Sequence, residues 1–592
     1  MATPKIIIVG GGLAGLSATI KAAEGGATVS LFSVVPVRRS HSVCAQGGIN
    51  AAVNTKGEGD SPAQHFDDSV YGGDFLANQT PVKNMCEAAP GIIYLLDRMG
   101  VMFNRTPEGL LDFRRFGGTL YNRTAFAGAT TGQQILYALD EQVRRFECEG
   151  RVQKYEGWEF LSLVLDNQLT CRGIVAINMD TMELSTFRAD AVILATGGPG
   201  LIFGRSTNST ICTGSAVASA YQQGAFYANG EFVQVHPTAV PGEDKLRLIS
   251  ESVRGEGGRV WVPKDGKPWY FLEEWYPKYG NLVPRDVATR AIFKAVYELK
   301  LGVDGRPQVY LDVSHLDPEL LQRKLGGVLE IYEKFVGQDP KKVPMRVFPA
   351  VHYSMGGLWI DFNHMTNIPG LFSAGECEYQ YHGANRLGAN SLLSCIYGGF
   401  VAGPSAIRYA KGLSSSADQV DEIYFRDALL REKEKNERLL HSEGKINPHH
   451  LHTELGDVMT ENVTVIRVNE KLRKADDKLQ ELIDQYKEIS VPDHSRWANK
   501  ELLFARQLGN MLELARVITL GAWRRNESRG AHYKPEFPER DDANWLKTTK
   551  ARFRGPGEEP EFTYEDVDTQ HVKPRPRENL IGKSLRFLTS HR

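Results

Sequence analysis

The sequence predicts an α/β protein in which a parallel-sheet domain carries an inserted α+β domain and is followed by a helical domain and an irregular C-terminal tail. Residues 5–9 form a β-branched run that ends at a glycine, residues 13–24 are rich in Ala and Leu, and residues 28–32 form a second apolar run. This order predicts a strand, a helix and a parallel strand within about thirty residues. Two more buried-strand patterns, at 191–195 and 371–374, indicate that the chain returns to the same sheet.

The region beyond residue 417 is predicted to be helical because its composition shifts to Glu, Lys, Arg and Leu. Three helical patterns lie near residues 420–441, 456–489 and 497–526. In the second, four apolar residues recur at helical spacing, which indicates a bundle packed on the core. These residues are Leu472, Leu479, Ile483 and Tyr486.

Composition and charge exclude several classes of protein. The 592 residues carry 70 basic and 72 acidic side chains, and this balance argues against nucleic acid as the main partner. The 7 cysteines include no Cys-x-x-Cys pair, so we predict neither a zinc nor an iron–sulfur site within this chain, and no other metal. Their wide spacing favours a reducing compartment. No run of about eighteen apolar residues is present, so no helix is predicted to cross a membrane.

A glycine turn joins the first strand to the first helix. Gly10, Gly12 and Gly15 follow the Gly-x-Gly-x-x-Gly pattern of dinucleotide-binding turns. The first glycine permits a tight turn, the second allows a pyrophosphate to approach the backbone, and the third allows close packing of helix on strand. The helix that follows presents free N–H groups to the phosphates. The first domain is therefore predicted to be a Rossmann-like dinucleotide-binding domain.

The ribose position departs from the usual dinucleotide-binding pattern. An acidic residue is usual at the end of the second strand, where this sequence has Ser33, whose hydroxyl can still bond a ribose hydroxyl. The run at 191–195 ends at Thr196 and Gly197, which we also expect to contact the cofactor. The predicted domain limits are 1–234 and 346–416 for the two parts of the dinucleotide-binding domain, 235–345 for the inserted capping domain, 417–535 for the helical domain and 536–592 for the C-terminal segment.

Residues 38–48, Arg-Arg-Ser-His-Ser-Val-Cys-Ala-Gln-Gly-Gly, carry a specific resemblance. They resemble the segment by which succinate dehydrogenases and fumarate reductases, the flavoproteins of the respiratory complex II family, attach FAD covalently to a histidine. By this resemblance His41 is joined to the 8α carbon of the flavin, and Ser40 and Ser42 contact the cofactor. Beneath the isoalloxazine ring, where only a backbone without side chains approaches closely, we expect Gln46, Gly47 and Gly48.

Five further blocks resemble the same family, in the same order. They are residues 236–238, 248–258, 284–287, 352–357 and 382–392. The family's substrates are four-carbon dicarboxylates, and the arginine fork suits a carboxylate because it donates two parallel hydrogen bonds. The resemblance implies that Arg386 and His352 hold one carboxylate. It assigns the other carboxylate to His236, Ser250 and Glu251, with Phe116 and Gly48 lining the pocket.

The family's reaction passes a hydride between a substrate carbon and flavin N5 and moves a proton on the opposite face. Arg285 matches the family's proton carrier. Because the pKa of arginine lies above about 12 in water, such a carrier needs a relay. Glu251 and Arg254 can provide one, since in a helix over 248–254 they would lie three residues apart on one face.

Other residues resemble contacts to the cofactor. Glu376 matches the family's ligand to the FAD ribose, and Ser391 and Leu392 match backbone contacts to the flavin ring, which Arg386 also approaches. Two departures are evident. Ser215 stands where many members have Asp, which puts an acidic cofactor contact in doubt, and Ser250 replaces a threonine but keeps the hydroxyl.

The resemblance covers most of residues 4–545 and implies the catalytic subunit of a succinate:quinone oxidoreductase that interconverts succinate and fumarate. Such a chain would be a peripheral protein on the cytoplasmic face of the inner membrane, held by an iron–sulfur subunit and by an integral membrane anchor that binds quinone. The alternative is a soluble L-aspartate oxidase, which typically lacks the flavin-linking histidine, so His41 favours the first hypothesis. A flavin-folded tRNA-modification protein would need a basic RNA-binding face.

Overall fold

The computed structural model describes residues 3–240, 242 and 246–576. Its central feature is a five-stranded parallel sheet in which Lys5–Val9 lies between Ala191–Leu194 and Thr28–Ser33. Leu371–Ser373 and Val152–Glu156 form the two edges. The strands predicted at the start of the chain and near residues 191 and 371 are all present in one sheet, so the predicted fold class is confirmed.

Two helices, Leu13–Glu24 and Asn390–Lys411, pack against each other on one face of this sheet. A Cβ atom at Gly399 would lie 2.5 Å from the carbonyl oxygen of Ala14, so only glycine allows this approach of the two backbones. The contact ties the helix that follows the glycine turn to the helix that begins at Asn390. The other helices of this domain are Pro62–Gly72, Gln79–Arg98, Thr131–Cys148 and Ser215–Gln222. Its strands outside the parallel sheet are Ile49–Asn50, Phe113–Arg114, Thr124–Ala125, Trp158–Leu165, Cys171–Asn178, Leu184–Arg188, Tyr227–Ala228 and Gly357–Leu358.

The inserted segment has a hydrophobic core of its own, which includes Ile249, Val287, Leu311 and Tyr332. Its six-stranded sheet has the order Arg247–Leu248, Val233–Val240, Met345–Ser354, Val309–Asp312, Arg259–Lys264 and Lys267–Trp269. Its helices are Ser252–Gly255, Phe271–Trp275, Arg285–Phe293, Pro318–Leu320 and Gly326–Val336. The predicted limits of this domain fall inside Val233–Val240 and Met345–Ser354, which pair with each other. The chain therefore leaves and re-enters the dinucleotide-binding domain on adjacent strands.

The helical region packs on the other face of the parallel sheet. It consists of Glu422–Leu440, Pro448–Asn462, Asn469–Tyr486 and Lys500–Arg524. The single helix predicted over 456–489 is wrong, because the chain breaks at the β-branched run 463–468, where Arg467 donates its N–H to the carbonyl of Tyr533. Leu472, Leu479 and Ile483 are buried, as their spacing predicts. None of the helices in the described ranges is long and apolar enough to cross a membrane.

The C-terminal segment is more regular than the sequence predicts. Lys547–Arg552 and Glu561–Asp566 form an antiparallel pair, and the first of these strands pairs with Tyr227–Ala228. Thr548, Thr549 and Ala551 are buried by this pairing. The prediction of an irregular segment is wrong here because a distant strand supplies the partner. The part of the segment beyond residue 576 lies outside the described residues.

The packing of the helical region yields a quantitative prediction. Leu479 is 0% exposed in the core, and truncation to Ala should lower the free energy of unfolding by about 2–5 kcal/mol. Leu430 is 53% exposed on another helix of the region, and Leu430→Ala should change the free energy of unfolding by no more than about 0.5 kcal/mol. Urea unfolding followed by circular dichroism measures both. Equal shifts for the two variants would contradict the packing described.

Candidate active site

The glycine turn lies at the carboxyl edge of the parallel sheet. Gly10 has φ +117°, and a Cβ atom there would lie 2.1 Å from the carbonyl oxygen of Ala195. A Cβ at Gly15 would lie 1.8 Å from the carbonyl oxygen of Gly10. Glycine is therefore required at both positions, by the approach of the next strand and by the packing of the helix respectively.

A cavity of about 150 Å³ opens at this edge. Its walls include many of the predicted cofactor residues, namely Gly10, Gly12, Ser33, Ser40, His41, Ser42, Thr196, Gly197 and Glu376. The buried hydroxyl of Thr196 has no hydrogen-bond partner within the described part of the chain. Gly15 does not line the cavity, because its role is to let the helix pack on the turn. A side-chain-free backbone, a helix N-terminus and an unpaired hydroxyl fit the phosphates and ribose of a dinucleotide.

His41 lies at the junction of this cavity with a second, larger one. It begins the short 3₁₀ helix His41–Cys44. Its Nδ1 accepts a hydrogen bond from the N–H of Ser209 (3.2 Å), and the side-chain amide of Asn208 lies 3.3 Å from Nε2. The sequence analysis missed Asn208, because this residue approaches His41 only through folding. Ser42 accepts a hydrogen bond from the N–H of Leu13 at the start of the first helix.

The backbone of residues 46–48 is held by a buried arginine that the sequence analysis missed. Arg114 donates from Nε to the carbonyl oxygen of Gly47 (3.1 Å) and from Nη2 to that of Gln46 (3.2 Å). A Cβ at Gly47 would lie 2.7 Å from Cζ of Phe116, and Gly48 has φ +136°. Burial lowers the pKa of Arg114 to about 10. Arg114 directly precedes the sequence Arg-Phe-Gly-Gly at 115–118, from which the sequence analysis assigned only Phe116 to the site.

The larger cavity has a volume of about 390 Å³ and lies between the dinucleotide-binding domain and the inserted domain. It brings together predicted residues from both: His41, Ser42, Gln46, Gly47, Gly48, Phe116, His236, Ser250, Glu251, Arg285, His352, Glu376, Arg386, Ser391 and Leu392. Arg254 is not in the wall. It lies behind Glu251.

Two arginines bind the carboxylate of Glu251. Arg285 Nε lies 2.8 Å from Glu251 Oε2, and Arg254 Nη2 lies 2.8 Å from Glu251 Oε1. All these side chains are buried. The helix here is shorter than the predicted 248–254 and spans Ser252–Gly255, but Glu251 and Arg254 still meet because Glu251 itself has helical φ and ψ.

Gln234 joins two of the predicted substrate-facing arginines, and the sequence analysis missed it. Its Oε1 accepts hydrogen bonds from Arg285 Nη1 (2.9 Å) and from Arg386 Nη2 (3.0 Å). Its Nε2 donates to the carbonyl oxygen of Arg386 (2.7 Å) and to Oδ1 of Asn385 (2.9 Å). Nε of Arg386 is buried and has no hydrogen-bond partner among the residues described. Burial, and then the charge of Arg285, lowers the pKa of Arg386 to about 9.

Two histidines face the same space, with ring centroids 5.1 Å apart. Burial, and then the charge of Arg285, holds the pKa of His236 and of His352 well below the usual range, so both rings are neutral at pH 7. Nδ1 of His236 accepts the N–H of Thr238 (3.2 Å), which leaves the ring proton on Nε2. That Nε2 is buried and unpaired as far as the described chain extends. His352 Nδ1 lies 2.7 Å from the hydroxyl of Thr207.

Ser250 and Glu376 complete the walls. The hydroxyl of Ser250 accepts hydrogen bonds from the N–H (3.2 Å) and the hydroxyl (2.9 Å) of Ser252. Glu376 accepts the N–H of Ser354 (3.0 Å) and lines both cavities. Burial raises the pKa of Glu376 to about 7. Ser391 and Leu392 lie in the first turn of Asn390–Lys411, which presents its N-terminus to the larger cavity.

Comparison with known proteins shows the family to which the chain belongs. Residues 5–392 match the FAD binding domain family, and residues 452–579 match the family of the fumarate reductase flavoprotein C-terminus. The chain is 68% identical over 578 residues to the succinate dehydrogenase flavoprotein subunit of Bacillus subtilis, an alignment that covers 98% of this chain and 99% of that one.

Solved structures of related chains share the fold. A chain of Escherichia coli quinol fumarate reductase superposes with a TM-score of 0.91 at 34% identity, covering 97% of this chain and 98% of the other. A chain of the Mycobacterium smegmatis Sdh1 complex superposes with a TM-score of 0.83 at 31% identity, covering 98% and 96%. None of these relatives favours the L-aspartate oxidase alternative. The chain therefore belongs to the family of succinate dehydrogenase and fumarate reductase flavoprotein subunits, which are oxidoreductases that bind FAD.

Proposed function

We propose that this chain interconverts succinate and fumarate in the larger cavity, with Arg285 as the proton carrier. The observation that carries the proposal is the meeting of Arg285 and Arg386 at Gln234, beside the carboxylate of Glu251. FAD, when bound, supplies the acceptor for a hydride at its N5 atom. All other groups that the reaction needs come from the chain.

The charge of the cavity suits a dianion. Three buried arginines, Arg254, Arg285 and Arg386, outnumber the carboxylate of Glu251, and burial raises the pKa of the other carboxyl group in the wall, Glu376, to about 7. Negative charge from a dicarboxylate ligand would offset the remaining positive charge. Arg386 and His352 are positioned to bind one carboxylate of the ligand.

The other carboxylate is assigned to the far end of the cavity. Nε2–H of His236 and the hydroxyl of Ser250 are positioned to bind it, and Glu251 acts at this end through the arginines that it holds. Phe116 and Gly48 form the wall.

Proton transfer follows the chain of hydrogen bonds through Glu251. When succinate is oxidised, one carbon loses a hydride and the neighbouring carbon loses a proton, which leaves a C=C bond. For Arg285 to take up that proton it must first become neutral. Arg285 Nε therefore passes a proton to Glu251 Oε2, Glu251 Oε1 passes one to Arg254 (2.8 Å at each step), and Arg254 releases one of its own to solvent. Arg254 Nη1 also donates a hydrogen bond to the carbonyl oxygen of Asn281 (2.6 Å), a partly buried residue of the inserted domain, which holds the guanidinium in place. Fumarate reduction uses the same route in reverse.

We also propose that His41 is covalently bonded to the flavin. It stands where the two cavities meet, within the segment that resembles the family's attachment site. The remaining cofactor contacts are assigned to the glycine turn, Ser33, Ser40, Ser42, residues 46–48, Thr196, Gly197, Glu376, Arg386, Ser391 and Leu392.

The partners follow from the electron balance. Two electrons reach the flavin in each turnover, and the sequence has no Cys-x-x-Cys pair to bind an iron–sulfur cluster. We propose that a separate iron–sulfur subunit receives them and passes them to an integral membrane anchor that binds quinone. This chain would then lie on the cytoplasmic face of the membrane as a peripheral subunit.

Covalent attachment gives the first functional prediction. The denatured wild-type protein should fluoresce as flavin on a gel, and His41→Ser should retain only dissociable FAD. The variant should lose succinate oxidation more severely than fumarate reduction, since an untethered flavin has a lower potential. A non-fluorescent wild-type band from a fully loaded sample would contradict the attachment.

The role of Arg285 gives the second. Arg285→Gln should keep the fold and the flavin, while kcat falls by about three powers of ten, at about 1.4 kcal/mol each. Arg386→Gln should act chiefly by raising KM for succinate. As a control, Arg346→Gln removes an arginine of the inserted domain that is 38% exposed and pairs with Asp304, and it should leave kcat unchanged. If Arg285→Gln kept more than about a tenth of wild-type kcat, Arg285 would not carry the proton.

The partners give the third. The isolated chain should reduce an artificial dye with succinate but should not reduce a quinone, and malonate should compete with succinate. Protein purified from membranes should carry both partner subunits and reduce quinone. A free enzyme that passes electrons directly to oxygen, with aspartate as the better substrate, would overturn this proposal in favour of the oxidase.

A further inference from the structure

Besides Glu376, the smaller cavity contains a second acidic residue, which comes from neither position 33 nor position 215. Ser33 ends the second strand, and Ser215 stands where many relatives have Asp. Glu159, in the strand Trp158–Leu165, lines the same cavity as both serines and is only 7% exposed. In the fold, Glu159 lies close to Ser33, the residue at the ribose position, because Ser33 pairs with Glu156, three residues before Glu159.

One helix holds Glu159 and Ser215 next to each other. Gln507 Nε2 donates to Glu159 Oε1 (2.9 Å), and Asn510 Nδ2 donates to the hydroxyl of Ser215 (2.7 Å). Gln507 and Asn510 lie three residues apart in Lys500–Arg524, so their side chains leave the same face about 5–6 Å apart. The carboxyl group of Glu159 and an acid at position 215 would therefore face the same cavity beside the same face of this helix.

The carboxyl group of Glu159 is only half satisfied. Oε2 is buried and lacks a hydrogen-bond partner in the described ranges. The nearby cation, Arg506, is already bonded to Glu432 and to Asn436. Burial raises the pKa of Glu159 to about 7. A buried acceptor without a donor is unfavourable, and a ligand that supplies a donor removes that penalty.

We propose that Glu159 accepts a hydrogen bond from the adenosine half of FAD and thereby replaces the acid that is absent at positions 33 and 215. Adenosine offers two kinds of donor, the ribose hydroxyl groups and the exocyclic amine of adenine. The flavin half has no part in this contact. The inference rests on FAD binding by this chain and is independent of the succinate chemistry.

The test measures binding rather than turnover. Flavin-free protein carrying His41→Ser is titrated with FAD and with FMN, which lacks the adenosine half. Adding Glu159→Ala should weaken FAD binding by about ten-fold to a hundred-fold, the worth of one charge-assisted hydrogen bond, and should leave FMN binding unchanged. Adding Ser215→Asp to Glu159→Ala should restore FAD binding to within about three-fold of the parent protein.

Two control variants guard against a general loss of structure. Glu159→Gln keeps the size of the side chain and a partner for Gln507, and should weaken FAD binding alone by about three-fold or more. Glu513→Ala removes a half-buried acid that lies outside the cavity, on the helix that carries Gln507. It should change the binding of neither FAD nor FMN.

A comparison of four nucleotides identifies the donor. AMP carries both kinds of donor, IMP lacks the exocyclic amine, and 2′-deoxy-AMP and 3′-deoxy-AMP each lack one ribose hydroxyl. Glu159→Ala should weaken the binding of AMP, and it should not weaken the binding of whichever analogue lacks the group that donates to Glu159.

Three results would overturn the inference. The first is unchanged FAD binding in Glu159→Ala. The second is an equal loss of FAD and FMN binding in Glu159→Ala and Glu159→Gln. The third is a failure of Ser215→Asp to restore FAD binding.

Discussion

The constraint on which the structure depends is an excess of buried positive charge between two domains. Arg254 and Arg285 come from the inserted domain, and Arg386 comes from the dinucleotide-binding domain. Among the residues that the structure describes, Glu251 is the carboxylate bonded to both Arg254 and Arg285. Charges buried in this way are tolerated only when their hydrogen bonds are made and their partners are fixed. The paired strands Val233–Val240 and Met345–Ser354 meet that need, because they run from one domain to the other and carry Gln234 to the point where Arg285 and Arg386 meet.

The same excess charge affects the protonation of the other polar groups in the cavity. Together with burial, it keeps His236 and His352 neutral, so each offers a directed N–H or a lone pair instead of a further cation. It also couples ligand binding to domain packing, since a dianion would be held by groups of both domains at once. Residues next to the two arginines reinforce that coupling: Asn385 Nδ2 donates to Asp286 Oδ1 across the domain boundary (3.1 Å), and Asp286 also binds Arg290 (3.0 Å). Under the proposed function, substrate affinity and the packing of the two domains would therefore depend on the same contacts.

Sequence reasoning reached the parallel sheet, the glycine turn and most of the cavity walls, because these depend on local periodicity or on motifs with a fixed spacing. It failed where the local structure depends on a segment that is distant in the sequence. The break at 463–468 depends on a bond to Tyr533, and the C-terminal strand pair depends on Tyr227–Ala228. Gln234 and Arg114 were missed for a similar reason: a glutamine in a strand and an arginine at the end of a short strand acquire their roles only from the groups that folding places against them.

At the nucleotide end of the site, the acidic residue that is usual in a dinucleotide-binding motif need not come from its usual position. A dinucleotide fold needs an acceptor at a point in space, and the end of the second strand is only the shortest way to reach it. Here that strand ends in Ser33, while Glu159 reaches the same cavity from a neighbouring strand. Its orientation is set by Gln507, on a helix that the sequence assigns to simple packing. The helical domain thus contributes more than buried apolar surface, because the helix that packs on the sheet also orients polar groups around the cofactor cavity.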